Sequence, residues 1–147
     1  MSPAGYSGTP LWKKLGLTEG RRLLTRGAPE GWALPECPDG ISLETLAAEE
    51  PDGSGTSEEV LLAFFSTLAA LREAVPALSR RIFPEAALWI AWPRRAAGHD
   101  SDIHEQDIRD TALPMGLVDV KVAAIDEDWS GLRLVWRREL RAGPLPS

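Results

Sequence analysis

The chain has 147 residues, 44% of them hydrophobic, which is enough for one domain with an ordinary core. Its 16 lysines and arginines stand against 22 aspartates and glutamates, and the formal charge of −6 argues against nucleic-acid binding, which requires concentrated positive charge. The longest apolar run has seven residues, too few to cross a membrane, and the single cysteine, Cys37, excludes an internal disulfide and predicts a cytoplasmic location.

The first part of the chain predicts a short helix and two strands. Thr9 is expected to be the N-cap of the helix and Pro10 its first residue. Residues 21–26 form a predicted strand centred on two leucines, and the glycines of residues 27–31 end it. Residues 41–46 alternate apolar and polar side chains, which predicts a half-buried strand.

Two continuous apolar runs, residues 60–65 and 87–92, predict strands that are buried on both faces, as in a parallel sheet. An acidic loop at residues 49–57 precedes the first of them. The helical stretch between the two strands contains Pro76, which does not fit a regular helix interior. We therefore expect two short helical turns that meet at this proline.

The last part of the chain predicts one helix and a hairpin. Asp102 with Glu105 three residues later resembles a capping box, which places the start of the helix there. Residues 118–125 and 132–137 are predicted strands joined by the turn 126–131. The complete order of elements predicts an α/β fold with a mostly parallel sheet that ends in an antiparallel hairpin.

Such a sheet resembles the Rossmann-like fold of the S-adenosylmethionine-dependent methyltransferases, in a reduced form. Residues 17–31, LTEGRRLLTRGAPEG, resemble that family's first strand and loop, and residues 82–90, IFPEAALWI, its approach to a later strand. Four shorter segments resemble more closely an uncharacterised, largely actinobacterial family, domain of unknown function 3052: residues 5–10, 27–31, 88–93 and 129–132. The resemblance implies a single domain over residues 1–141, followed by a flexible tail at residues 142–147.

The methyltransferase loop is altered in this sequence. In that family an acidic residue ends the first strand and three glycines follow at alternate positions, so that the backbone can approach the cofactor. The matching residues here are Thr25, Gly27, Pro29 and Gly31. Pro29 introduces a ring and has no N–H, and Glu30 adds a negative charge. A carboxylate for the cofactor ribose also has only weak candidates, such as Glu44.

We therefore predict a non-catalytic binding or regulatory module with no cofactor. A degenerate S-adenosylmethionine-dependent methyltransferase that uses the same surface is the alternative from another class. A third hypothesis is a protein-interaction adaptor that acts through the acidic loop or through the N-terminal arm at residues 2–8. The expected partner is another protein or a small anionic ligand.

Open α/β sheets bind ligands at the carboxyl ends of their strands. The ligand-binding residues predicted on this basis are Gly27, Ala28, Pro29, Glu30, Gly31, Ser66, Thr67, Trp92, Pro93, Arg94 and Arg95. Arg94 and Arg95 either hold a carboxylate or phosphate or simply face solvent. Trp32 and Trp129 either anchor a partner or cover the ends of the sheet.

The sequence predicts neither a metal site nor a reactive cysteine nor a catalytic motif. His99 and His104 lie among acidic residues, but their spacing fits neither a zinc pair on one helix nor a calcium loop, so no metal site is predicted. Cys37 follows a glutamate, which disfavours a reactive thiolate. The sequence has neither a nucleophile elbow nor a phosphate-binding glycine loop, and we predict no catalytic residue.

Overall fold

The computed structural model describes residues 9–46, 55–95, 98 and 100–146. The helices among them are α1 (Leu11–Lys14), α2 (Leu68–Ile82) and α3 (Glu105–Ala112), with short 3-10 segments at Leu113–Met115 and Arg138–Leu140. The strands are β1 (Arg22–Arg26), β2 (Ser42–Thr45), β3 (Glu59–Phe64), β4 (Ala87–Pro93), β5 (Leu117–Ala124) and β6 (Trp129–Trp136).

The six strands form one sheet in the order β2-β1-β3-β4-β6-β5. The first four are parallel, and β6 and β5 add an antiparallel pair beside β4. This confirms the predicted α/β fold and its terminal hairpin. The strand that follows β1 in the chain, β2, lies on one side of it, and the strand that follows β3, β4, lies on the opposite side. The strand order therefore reverses between β1 and β3.

Both faces of the sheet are covered, which explains the two continuous apolar runs. All residues of β3 and β4 are buried. Helices α2 and α3 pack on one face, where the core includes Leu71, Val75 and Ile108. On the other face α1 and the segment after β1 supply Leu11, Leu15, Leu34 and Ile41.

Two buried tryptophans join the helical layers to the sheet through their ring N–H groups. Trp89 donates to the carbonyl of Leu15 just after α1, at 3.1 Å, and Trp136 donates to the carbonyl of Ser79 in α2, at 2.8 Å. Because a buried indole N–H without an acceptor is costly, these bonds fix each helix relative to the strands. Trp89 lies in the apolar run 87–92, and its complete burial agrees with the buried strand predicted there.

A buried ion cluster lies where β1 and β3 begin. The Glu59 side chain is 3% exposed, and its carboxylate accepts two hydrogen bonds from Arg81 of α2, at 3.0 and 3.1 Å, and one from Arg22. Burial disfavours the charged carboxylate, but the two arginines outweigh it and hold the pKa of Glu59 below its usual value. Arg22 also pairs with Glu44 at 3.2 Å.

The prediction of two helical turns that meet at Pro76 is wrong, because α2 continues through that residue. Pro76 lies on the exposed side of the helix. The opposite side buries a regular series of residues, namely Leu71, Val75, Leu78 and Ile82. The burial of this apolar face stabilises one helix enough to offset the hydrogen bond that proline cannot make.

The capping box predicted at Asp102 and Glu105 is also wrong. Helix α3 begins at Glu105 with His104 as its N-cap, and the main-chain N–H of His104 donates to the carboxylate of Asp107 at 2.9 Å. Asp102 instead accepts the main-chain N–H of Leu68, at 2.8 Å, and so caps α2. The local pattern predicts that the Asp102 carboxylate caps α3, but a hydrogen bond to a residue 34 positions away makes it a cap of α2 instead.

Three smaller predictions need correction. The N-cap of α1 is Pro10 and not Thr9. Strand β2 is exposed at all four positions, because it is an edge strand, and the buried member of the predicted segment is Ile41 just before it. Trp129 belongs to β6 rather than to the hairpin turn, which is shortened because the Asp126 carboxylate accepts the N–H groups of Asp128 and Trp129.

Some predictions fall on residues that the structure does not describe: the N-terminal arm at residues 2–8, His99, and residues 49–54 of the acidic loop predicted at 49–57. Across the part of the chain that it does describe, no helix combines the length and the apolar character needed to cross a membrane.

Candidate functional site

The carboxyl ends of β1, β3 and β4 meet at one edge of the sheet. The loop after β1 passes close to β3 there. Gly27 has φ +70, and a Cβ at this position would lie 2.9 Å from the carbonyl oxygen of Phe64, too close for any side chain. Glycine is therefore required at this position by the backbone itself, whether or not a ligand binds.

The second glycine of the loop serves a turn. The N–H of Trp32 donates to the carbonyl of Pro29 at 3.0 Å, and Gly31, the third residue of that turn, has φ +77. A positive φ at this place is typical of a type II turn and explains the glycine. No helix follows before β2, so residues 27–41 cover the sheet as irregular chain.

An open cavity of about 360 Å³ lies between this loop and the ends of β3 and β4. The described residues that line it are Pro29, Ser66, Pro93, Asp100, Asp128 and Trp129. Three of them, Pro29, Ser66 and Pro93, belong to the predicted ligand surface, which the fold brings together here. The two aspartates and Trp129 form the rest of the lining. The volume of the cavity is at the lower end of the range for small-molecule sites.

Three aromatic rings pack together at this edge of the sheet. Phe64 lies between Trp32 and Trp129, with ring centroids 5.3 and 5.0 Å apart and edge-to-face geometry on both sides. Both tryptophans are half-buried. They pack the loop and the hairpin against the end of β3, and both remain partly exposed to solvent.

Both predicted anion-binding arginines have main-chain partners. The guanidinium of Arg94 donates to the carbonyls of Asp126 and Glu127, at 3.3 and 3.2 Å, and holds the hairpin turn. Arg95 donates to the carbonyl of Ser101 at 2.8 Å and also contacts the ring of His104. Neither residue lines the cavity among those described.

The start of α2 also points to this edge. Thr67 is its N-cap and accepts the N–H of Ala70 at 3.3 Å, while Asp102 accepts the N–H of Leu68. The positive end of a helix attracts anions, and here a carboxylate of the chain already occupies it. Ser101 adds a hydrogen bond of 3.5 Å to the Ser66 carbonyl, which ties the segment before α3 to the end of β3.

Trp92 is 7% exposed and packs into the core on the α2 side, opposite to Trp89. It does not line the cavity among the residues described. A second crevice of about 280 Å³ opens between the loop and the edge strand β2. Its lining includes Ala28, Trp32 and Glu44, together with Leu43, whose exposed fraction is 50%.

The described residues lining the cavity provide one hydroxyl, Ser66, and two carboxylates, and they include no histidine, cysteine or lysine. No group of three potential metal ligands occurs among the described residues. Cys37 is a half-buried free thiol.

Sequence reasoning did not find Phe64, Asp100 or Asp128 as parts of the site. Phe64 ends a continuous apolar run and was therefore indistinguishable from core. The two aspartates come from loops that precede α3 and β6, and no local pattern relates either loop to Pro29.

The fold has counterparts among solved structures. A SAM-dependent methyltransferase from Aquifex aeolicus aligns with 84% of this chain and 86% of its own, at 15% identity and a TM-score of 0.58. The 23S rRNA methyltransferase ErmE aligns with 93% of this chain and 68% of its own, at 12% identity and a TM-score of 0.43. No family model and no curated protein matches the sequence. The alignment with the Aquifex aeolicus structure shows that the chain has a Rossmann-like fold similar to that of a methyltransferase.

Proposed function

We propose that the protein is a non-catalytic binding or regulatory module that uses the carboxyl edge of a methyltransferase-like sheet. The observation that carries this proposal is the position of Pro29. It lines the cavity directly, at the place where the methyltransferase pattern has a glycine that lets the backbone approach the cofactor. Thr25 stands where that pattern has an acid, and Glu44 pairs with Arg22.

The partner is another protein or a small anionic ligand. The half-buried rings of Trp32 and Trp129 and the exposed Leu43 favour a protein, because aromatic side chains at a rim often anchor partners. For a small anion, Arg94 is available only in part, because its Nη1 group already donates to the carbonyls of Asp126 and Glu127 in the hairpin turn. The proposed location is the cytoplasm, on the basis of the single free cysteine.

A degenerate S-adenosylmethionine-dependent methyltransferase is the second candidate. It is favoured by the open cavity beside the first loop, since ligands of open α/β sheets bind at this point. Membership of domain of unknown function 3052 is a further proposal, and it rests on the sequence of residues 5–10, 27–31, 88–93 and 129–132.

Calorimetric titration with S-adenosylmethionine separates the two candidates. We expect no saturable binding to the wild-type chain, and measurable binding to the Pro29→Gly variant if the proline closes the site. Pro35→Gly is the matched control, since Pro35 is an exposed proline of the same segment that does not line the cavity. Micromolar binding to the wild type, with methyl transfer to an acceptor, would defeat the proposal.

A further inference from the structure

Three basic side chains converge on the end of α1, on the face of the sheet opposite to α2. Arg21 donates to the carbonyl of Gly16 at 3.2 Å, and the Lys121 ammonium donates to the carbonyl of Lys14 at 3.4 Å. The third is Arg133 of β6. An ideal Cβ on Gly16 would lie 3.4 Å from its Nη2, so the Arg133 guanidinium packs against the bare backbone of Gly16.

Capping of the helix end explains two of these cations but not the third. The carbonyls of Lys14, Leu15 and Gly16 already accept hydrogen bonds from Lys121, Trp89 and Arg21 respectively. Cations and donors at a helix C-terminus are expected, because the last carbonyls have no partner within the helix. Arg133 is left with no carbonyl of this turn.

Arg133 is the one side chain in the described part of the chain with a buried nitrogen that lacks a hydrogen-bond partner, its Nε. No carboxylate of the described residues lies within ion-pair distance of Arg133, Arg21 or Lys121. By contrast, Arg22, Arg81 and Arg109 each pair with at least one carboxylate. Burial, with the neighbouring charge of Arg21, lowers the pKa of Arg133. An unpaired donor beside a second cation raises the free energy of the folded state, and a bound acceptor with negative charge would lower it.

We propose that Arg133 and Arg21, with Lys121 at the rim, form a binding site for a phosphate-type oxyanion. Arg21 and Arg133 are half-buried and Lys121 is exposed, so the cluster opens to solvent on one side. Guanidinium groups present donors in a fixed fork that matches the oxygens of phosphate. This site is separate from the cavity beside Pro29, whose described lining includes none of the three cations.

The test is the thermal stability of the wild type and of Arg133→Met, measured with rising inorganic phosphate at constant ionic strength set by chloride. The wild-type Tm should rise with phosphate, by an amount that grows with the logarithm of its concentration above the Kd, because a ligand that binds only the folded state stabilises it. Arg133→Met should weaken the phosphate affinity by about tenfold or more, the loss expected for hydrogen bonds to a charged group. Arg137→Met is the control, since Arg137 is an exposed arginine just after the same strand, and its affinity should match that of the wild type.

The same experiment separates binding from a structural role. Without phosphate, Arg133→Met should be at least as stable as the wild type, because the substitution removes an unpaired cation next to Arg21. A second titration with adenosine monophosphate identifies the source of the oxyanion: tighter binding than phosphate assigns a phosphate ester, and equal binding assigns a free oxyanion. Absence of a phosphate-dependent rise in the Tm of the wild type, or an unchanged response in Arg133→Met, would overturn the proposal.

Discussion

Replacement of Glu59 by glutamine tests whether the ion cluster at the start of β1 and β3 stabilises the fold. Glutamine keeps the size of the side chain but removes the charge that faces Arg22 and Arg81. Arg22 retains Glu44, whereas Arg81, whose side chain is only 12% exposed, has Glu59 as its one carboxylate partner among the described residues. The variant therefore leaves a nearly buried guanidinium without a counter-charge.

Loss of one member of a buried ion pair costs about 3 to 5 kcal/mol. For a domain of this length, 1 kcal/mol corresponds to about 2 to 4 °C in Tm, so a fall of about 10 °C is expected. Glu58→Gln is the matched control, because Glu58 is the exposed neighbour of Glu59, and its Tm should change by about 1 °C or less. Thermal unfolding followed by circular dichroism at pH 7 gives both values.

The effect should also depend on pH. The pKa of Glu59 is lowered in the folded state, so its contribution is fully present above the unfolded-state pKa of about 4.3 and is lost as the pH falls through the folded-state pKa. The stability difference between wild type and Glu59→Gln should therefore be constant from pH 7 to pH 5 and shrink at lower pH. Equal stabilities of the two proteins at pH 7, or a difference that grows with acid, would refute this reasoning.

Three further substitutions test separate features of the fold. Gly27→Ala should lower the free energy of unfolding in urea by about 3 kcal/mol, and Gly20→Ala by about 1 kcal/mol. Both glycines have positive φ, but only Gly27 lies against a carbonyl oxygen, so equal losses of stability would contradict this explanation. Pro76→Ala should raise the Tm by several degrees, about 1 to 3 kcal/mol, since it restores a helical hydrogen bond, and a lower Tm would show that α2 requires the proline. Asp102→Ala should cost about 1 kcal/mol through the lost cap of α2, and Asp100→Ala should have no such effect in the same assay.

The sequence predicts the sheet well because its strands carry their own signals. The runs at residues 60–65 and 87–92 are apolar at every position, a pattern typical of a strand covered on both faces. The hairpin is likewise predicted, since its strands are separated by a cluster of turn residues. The order of strands across the sheet has no such local signal, but the connection rules of α/β folds restrict it to few arrangements.

The errors occurred where a tertiary contact outweighs a local preference. Pro76 disfavours a helix locally, but the buried series that includes Leu71 and Val75 keeps α2 intact. Asp102 has the local pattern of a cap for α3, yet it caps α2. The cavity shows the same limit: Pro29, Ser66 and Pro93 were predicted to share an edge, whereas the aspartates opposite them come from distant loops.

The most direct test of the account is a crystal structure of the chain grown with S-adenosylhomocysteine, the product form of the methyl donor. The account predicts an empty cavity between residues 27–31 and Trp129, with Pro29 in the position described above. Electron density for the adenosyl group against residues 27–31 would contradict it and would identify the protein as a cofactor-binding member of the methyltransferase fold.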